Sequence, residues 1–172
     1  MMSAAKAKWE ISVIPAMEKT IIELQNIVAE FSKKFNDLSD EELCAERGAG
    51  KWTRKEIIGH LIDSAHNNLR RFICGQYENE PPRIVYMQNF WVSANDYNTM
   101  RKEDLITLWK LMNERICAVL QNMDAENYNM NCDTGTNAPE LHSLQWLAED
   151  YNRHLKHHLN QIIPASFDII YP

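Results

Sequence analysis

The chain has 172 residues and a formal net charge of −6, which fits one domain of ordinary size. Its acidic balance is the opposite of the basic surface that nucleic-acid-binding domains present, and no apolar run approaches the ~20 residues of a membrane-spanning helix. A chain of this length buries ~70% of its surface on folding, so its core needs no disulfide or structural metal ion. We therefore predict a single domain, residues 1–172, that binds neither nucleic acid nor membrane.

The cysteines and the N-terminus predict a cytoplasmic protein. The four cysteines are far apart and form neither a CxxC pair nor a zinc-finger spacing. Residues 1–9 contain lysines but no apolar core, so they do not resemble a secretory signal. We expect reduced thiols in the reducing environment of the cytoplasm.

Glycine is scarce and apolar residues recur at helical spacing, so the sequence predicts an all-α fold. The first predicted helix spans residues 15–35, with Pro15 in its first turn. Ser39 and Glu42 have the spacing of a capping box and predict a short helical turn.

The second long helix is predicted to begin at another capping box, formed by Thr53 and Glu56, and to end at residues 75–77. The polar and aromatic connection that follows, residues 83–98, is long for a link between bundle helices. It suits a functional rim or lid, or a segment that packs over the end of the bundle; the second interpretation is favoured because aromatic side chains usually pack.

Two more helices complete a four-helix pattern. The third is predicted over residues 100–122. The fourth is predicted to open at residues 137–140, where Asn137 and Glu140 have capping spacing, and to end at Ile163, before Pro164.

The fourth predicted helix carries three of the six histidines within five residues: His154, His157 and His158. Residues four apart lie on one face of a helix, so His154 and His158 can reach one metal ion. With residues placed at 100° intervals, His158 falls within the apolar face, His154 at its edge, and His157 on the polar side. This helical-wheel placement therefore predicts that His154 and His158 face the interior and that His157 lies on the surface.

This pair alone does not establish a metal site, because a helical HxxxH pattern is common by chance. A zincin motif is absent, since Leu155 follows His154 where HExxH needs glutamate. On the second helix His60 and His66 both fall outside the apolar stripe, and His66 lies closer to its edge. Periodicity therefore favours His66 slightly, or neither residue, as a third ligand.

Two segments together resemble the DinB/YfiT-like superfamily. Residues 51–65 begin with a lysine and a tryptophan and carry His60 in a histidine-leucine-x-aspartate context; residues 150–162 carry the HxxxH pair followed by Gln161 and an isoleucine. The resemblance covers essentially the whole chain. It implies an up-down-down-up four-helix bundle with a long connection between helices 2 and 3, and a metal ion held by His60, His154 and His158.

The resemblance also implies function. Relatives include inferred metal-dependent hydrolases and transferases that use a low-molecular-weight thiol, so we expect an enzyme acting on a small molecule. Zinc and nickel both suit imidazole ligands, and iron is a third candidate. The alternative is a non-catalytic bundle that binds a metal ion or ligand or mediates association. Relatives are often homodimers, and Phe90, Trp91 and Trp146 could serve such an interface.

No residue securely identifies a general base. Asp63 and Asp150 are near the histidines in sequence but fall on the polar sides of their wheels, which favours solvated or supporting roles. Asn67, Tyr151 and Gln161 could line a pocket, and each could equally be a packing or surface residue.

Overall fold

A computed structural model of the protein describes residues 15–169 and residue 171. The N-terminal stretch for which no secretory signal is predicted lies outside this part of the chain. Six α-helices are present in the described residues: α1 (Ala16–Asp37), α2 (Asp40–Cys44), α3 (Arg54–Tyr77), α4 (Gln88–Asn95), α5 (Lys102–Gln121) and α6 (Leu144–Ile162). Short 3₁₀ helices lie at Tyr97–Thr99 and Ala125–Asn129, and the strands β1 (Asn131–Asp133) and β2 (Leu141–Ser143) form a small hairpin.

The first two of the three predicted capping boxes are confirmed. The Ser39 hydroxyl accepts the Glu42 backbone N–H at the start of α2, and the Glu42 carboxylate accepts the Ser39 N–H at 2.8 Å. Thr53 and Glu56 make the same reciprocal pair at the start of α3. Each box satisfies backbone donors that the first turn of a helix leaves without intrahelical partners.

The four long helices, α1, α3, α5 and α6, form the bundle, and side-chain contacts give their directions. α5 and α6 each pack against both α1 and α3. Arg54, at the start of α3, donates to the Ile162 carbonyl at the end of α6, so these two helices are antiparallel. α6 is parallel to α1, because Asn152 contacts Thr20 and Lys156, one turn later, contacts Glu23. α5 is antiparallel to α1, where Trp109 meets Phe35. α5 is parallel to α3, because Lys55 contacts Asn98 just before α5, and Gln76 contacts Asn127 just after it. The predicted up-down-down-up topology is confirmed.

This topology explains the long connection between α3 and α5. Two parallel helices in sequence require the chain to return along the whole bundle, and a helix of 24 residues such as α3 is ~36 Å long. The returning chain is not an irregular loop, because α4 and a 3₁₀ turn form within it and α4 packs against α3. The segment therefore packs against the bundle as predicted, but it lies along the middle of α3 and not over the end of the bundle.

The predicted start of the last helix is wrong. α6 begins at Leu144, with Ser143 as its N-cap, and residues 137–140 lie in the hairpin turn between β1 and β2. The Asp133 carboxylate accepts the backbone N–H groups of Gly135 and Glu140 and organises that turn. The local capping pattern at Asn137 is overridden by these longer contacts.

The apolar core runs through the bundle, with aromatic packing concentrated between α1 and α5. Phe35 and Trp109 are both fully buried and meet edge to face, with ring centroids 5.0 Å apart. The interior beside α3 is different, because polar side chains are buried there as well: Lys55, His60, Asp63, Ser64, Asn67 and Asn68. Among the described helices, none combines the length and apolar character needed to cross a membrane.

Candidate metal centre

Three histidines from two helices meet inside the bundle. α3 provides His60, and α6 provides His154 and His158 one turn apart. One ring nitrogen from each lies within 4.8 Å of the others, and the His60 and His154 Nε2 atoms are 3.2 Å apart. The structure thus brings together the three residues that the family resemblance implies.

His60 is the most buried of the three, contrary to its position on the helical wheel. It is fully buried, whereas His154 and His158 are partly exposed. α3 is covered by α4, α5 and α6, so its burial extends around most of its circumference rather than along one stripe. His66, which periodicity slightly favoured, is exposed and lies against Trp91.

Burial keeps the three imidazoles neutral. Desolvation lowers the pKa of His60 to about 3, and repulsion from His158 adds to the effect. Burial lowers the pKa of His158 to about 4, and burial and the neighbouring histidines hold the pKa of His154 well below its usual value. Since only a neutral imidazole can bind a metal ion, the site presents its ligands in the required state at neutral pH.

Gln161 fixes the tautomer of His158. The His158 Nδ1–H donates to Gln161 Oε1 at 3.2 Å, which leaves Nε2 as the atom with a free lone pair. The Gln161 amide donates in turn to His157 Nε2 at 2.9 Å. His157 is not part of the converging set, as predicted, but it supports that set through Gln161.

The donor set fits a divalent ion. Nitrogens bound to one tetrahedral ion at ~2.0–2.1 Å lie about 3.3 Å from each other. The observed separation of 3.2 Å between the His60 and His154 nitrogens is close to that value. Three neutral imidazoles also match the ligands of catalytic sites that keep a position open for water or substrate.

Aromatic side chains from outside the predicted site surround the histidines. The Trp52 ring packs on His60 with centroids 4.9 Å apart. Tyr171 lies beside both His154 and His157, at 5.7 and 5.6 Å. Trp52 is recognisable in sequence as the residue before a helix cap, whereas no sequence signal places Tyr171 at this site.

Asp63 is buried, so of its two predicted roles, solvated or supporting, the solvated one is wrong. It is only 2% exposed, and its Oδ1 accepts hydrogen bonds from the Tyr97 hydroxyl at 2.6 Å and the Asn95 amide at 3.2 Å. Desolvation raises the pKa of Asp63 to about 6.

The Tyr97 ring lies directly on Gly59, where an added Cβ would be 2.0 Å from a ring carbon, so a glycine is required beside His60.

The remaining candidates divide between packing and pocket roles. Tyr151 is buried and donates to Asn113 Oδ1 at 2.6 Å, and Asn67 is buried and donates to the Asp63 carbonyl. Asp150 is partly exposed and accepts hydrogen bonds from Arg153 and Tyr171.

Two cavities are each lined by one histidine of the candidate centre. The first, of about 550 Å³, is lined by His158 and Gln161 together with Arg47, Gly50, Lys51, Trp52 and Asn89. The second, of about 140 Å³, is lined by His154 and by polar residues that include Arg71, Tyr86, Asp150, Tyr151 and Tyr171. His154 and His158 therefore border cavities, whereas His60 is fully buried and lines neither of them.

Comparison with known proteins identifies the family. A family model described as the DinB superfamily matches residues 23–162, which is most of the chain. The chain belongs to the DinB superfamily. The resemblance carried by residues 51–65 and 150–162 is thereby confirmed.

Proteins similar to this chain include relatives named as metal-dependent hydrolases and solved structures with the same fold. A provisionally named metal-dependent hydrolase of Geobacillus thermodenitrificans is 28% identical over 127 residues, covering 73% of this chain and 70% of the relative. YfiT of Bacillus subtilis, whose solved structure is described as a probable metal-dependent hydrolase with an unusual four-helix bundle topology, superposes with a TM-score of 0.78 at 22% identity over 91% of this chain and 89% of its own. A mycothiol-dependent maleylpyruvate isomerase superposes with a TM-score of 0.66 at 13% identity, over 85% of this chain and 60% of that one. These structural likenesses establish the shared bundle fold.

Proposed function

We propose that this DinB-superfamily protein is a metal-dependent enzyme that acts on a small molecule, with His60, His154 and His158 as the metal ligands. The observation that carries the proposal is the convergence of three neutral imidazoles, from two helices, within 4.8 Å of one another. Burying three imidazoles together is costly unless each one hydrogen-bonds or binds an ion. Among the described residues the His60 and His154 Nε2 atoms have only each other as hydrogen-bond partners, so the fold stabilises this arrangement only in part.

A bound ion would act there as a Lewis acid that polarises a substrate group, activates water or holds a thiolate. The protein's own residues position the reaction. Gln161 orients His158, Trp52 covers His60, and the two cavities admit and orient the substrate. Zinc and nickel are our first candidates for the ion and iron is the third, since all three accept imidazole.

Hydrolysis and thiol transfer are the two reactions we consider. Hydrolysis is supported by the names of the curated relatives, and thiol transfer by the fold shared with a mycothiol-dependent isomerase. Non-catalytic binding of a metal ion is the alternative function. The cavities at the site favour an enzyme, because a purely structural metal site needs no access for substrate.

Metal analysis of protein purified without a histidine tag tests the proposal. We expect about one divalent ion per chain in the wild type and loss of that ion in a His60→Ala/His158→Ala variant. Esterase and thiol-transferase assays on the metal-loaded protein then distinguish the two reactions. A tag-free wild type that holds no zinc, nickel or iron after exposure to each ion would contradict the proposal.

We further propose a cytoplasmic location and a homodimer. Large apolar side chains are exposed on and near α4, among them Met87 at 74% and Phe90 at 66%. Apolar surface of this kind is common at subunit interfaces. Sedimentation analysis of the wild type and a Met87→Gln/Phe90→Gln variant tests the dimer, which the variant should weaken.

A further inference from the structure

The larger cavity at the metal centre has an unusual charge for this protein. The chain carries a net charge of −6, yet this cavity is lined by two cations, Arg47 and Lys51, and by no acidic side chain among the described residues. His158 lines the same cavity, so a molecule held by these cations lies against the metal centre. The local charge predicts an anionic ligand.

The backbone directs both cations to the cavity. Arg47 and Lys51 flank a tight turn in which the Lys51 N–H donates to the Gly48 carbonyl at 3.1 Å. Gly48 and Gly50 have φ angles of +118° and +71°, which residues with a side chain rarely adopt. The turn thus depends on glycine, and it places one cation at each of its ends.

Neither cation is neutralised by the described part of the protein. Arg47 donates to the Trp52 carbonyl at 3.4 Å, and neither Arg47 nor Lys51 forms a salt bridge with a described carboxylate. The acidic residues of the neighbouring helix starts, Glu42 and Glu56, accept backbone N–H groups in their capping boxes. Burial lowers the pKa of Arg47, and repulsion from the nearby Arg54 adds to the effect. An anion from solution would relieve this repulsion and satisfy the remaining guanidinium donors.

From this arrangement we infer that the substrate carries a carboxylate, or another anionic group of similar size, which Arg47 and Lys51 bind while its reacting group lies at the metal centre. The inference rests on the proposed function, and it adds a substrate class and two specificity residues to it. Trp52, between the cations and His60, supplies an apolar surface for the part of the substrate that joins the two groups. The geometry thus describes a short molecule that has an anion at one end and a metal-binding or metal-activated group at the other.

The test uses cobalt-loaded protein and two probes that differ only in charge, 3-mercaptopropionate and 3-mercaptopropionamide. Both bind the metal through sulfur, so the sulfur-to-cobalt charge-transfer absorption gives the affinity of each without any assay of activity. We expect the wild type to bind the carboxylate about 10-fold or more tightly than the amide, because hydrogen bonds to charged groups are the stronger ones. Arg47→Gln/Lys51→Gln should remove this preference and leave the affinity for the amide within about 2-fold.

Two further variants serve as controls. Arg47→Lys/Lys51→Arg keeps both charges and should keep the preference. Lys33→Gln/Lys110→Gln makes the same change of net charge in the groove between α1 and α5, and it should also keep the preference. Equal affinities in the wild type, or a preference that survives in Arg47→Gln/Lys51→Gln, would overturn the inference and leave the metal site standing. Failure of the wild type to bind cobalt would overturn the metal site and the inference with it.

Discussion

The bundle interior between α1 and α5 differs in its buried side chains from the interior between α3 and α6. Between α1 and α5, Phe31, Phe35 and Trp109 pack with their rings 5.0–5.8 Å apart, and the Trp109 Nε1 atom is buried there without a partner among the described residues. Between α3 and α6 the interior holds three imidazoles, and on the side of α3 that faces Asn95 and Tyr97 it holds the carboxylate of Asp63. The buried His60 Nδ1 and Asp63 Oδ2 have no partner among the described residues. Burying polar atoms without partners costs stability on both sides. The second side differs because three imidazoles converge there, which is the arrangement that the proposed metal site requires.

The largest expected effect is on the apolar side. Phe35→Ala removes a fully buried ring that meets Trp109 and Phe31, so we expect the free energy of unfolding to fall by about 3–5 kcal/mol. Chemical denaturation measures the free energy of unfolding of the variant and the wild type. Metal affinity of the folded fraction should be unchanged, and a marked loss of affinity would show that the two sides are not independent.

His60→Leu should weaken metal binding without lowering the stability of the metal-free protein, which is the opposite of the result expected for Phe35→Ala. Loss of one imidazole is expected to weaken metal binding by more than 100-fold, about 3 kcal/mol, judging from the total affinity of zinc sites. The metal-free variant should be as stable as the metal-free wild type or more so, because a buried polar ring is replaced by an apolar side chain. Competition with a chromogenic chelator measures the affinity, and His66→Ala, which changes an exposed histidine, is the control. A variant that loses stability but keeps its affinity would contradict the assignment.

The pH dependence of stability distinguishes the two sides as well. The folded-state pKa values of His60 and His158 are lowered to about 3 and about 4, so the unfolded chain binds their protons first as the pH falls below about 6.5. Stability of the metal-free protein therefore decreases from pH 7 to pH 4.5. Asp63 has the opposite effect on stability, since its pKa is raised to about 6 and the folded state therefore takes up its proton first. The three histidines outweigh this single carboxyl group, because the pKa of His154 is also lowered.

We expect a net loss of at least about 3 kcal/mol across this pH range, because at about 1.4 kcal/mol for each pKa unit His60 and His158 together lose about 5 kcal/mol and Asp63 offsets about 2 kcal/mol. Denaturation at a series of pH values measures it. The loss should persist in Phe35→Ala and shrink in His60→Leu. A slope unaffected by His60→Leu would mean that other groups cause the acid sensitivity.

The smallest effect is expected at Gln161. Gln161→Leu removes the acceptor for His158 Nδ1–H and the donor to His157, so metal affinity should fall about 10–100-fold, as for other supporting contacts to metal-bound histidines. Gln161→Glu retains an acceptor and should restore most of the affinity. Isothermal titration with zinc measures both variants; equal affinities for Gln161→Leu and the wild type would show that His158 needs no such support.

The sequence predicts the helices better than it predicts the third ligand. Helical periodicity and capping boxes place α1, α3 and α5 within a few residues, and the spacing of His154 and His158 puts them on one face. Periodicity fails for His60 and Asp63 because α3 is covered on several sides, so burial there no longer follows a single stripe. His60 was identified by the family motif, which records a contact between residues 94 positions apart.

Long-range contacts account for the other differences. The start of α6 is set by pairing between β1 and β2 and by the Asp133 carboxylate, not by the local capping pattern at residues 137–140. Likewise, Arg47 and Lys51 are ordinary surface cations in the sequence, and only the fold places them in the same cavity as His158. Such features depend on which elements meet and are not encoded in any single segment.

A crystal structure of the tag-free protein loaded with zinc, with anomalous scattering data recorded on both sides of the zinc absorption edge, tests the central claim most directly. We predict one strong anomalous peak between α3 and α6, within about 2.0–2.1 Å of a nitrogen from each of His60, His154 and His158. The absence of a peak at this position, or a zinc ion held there without His60, would contradict the claim.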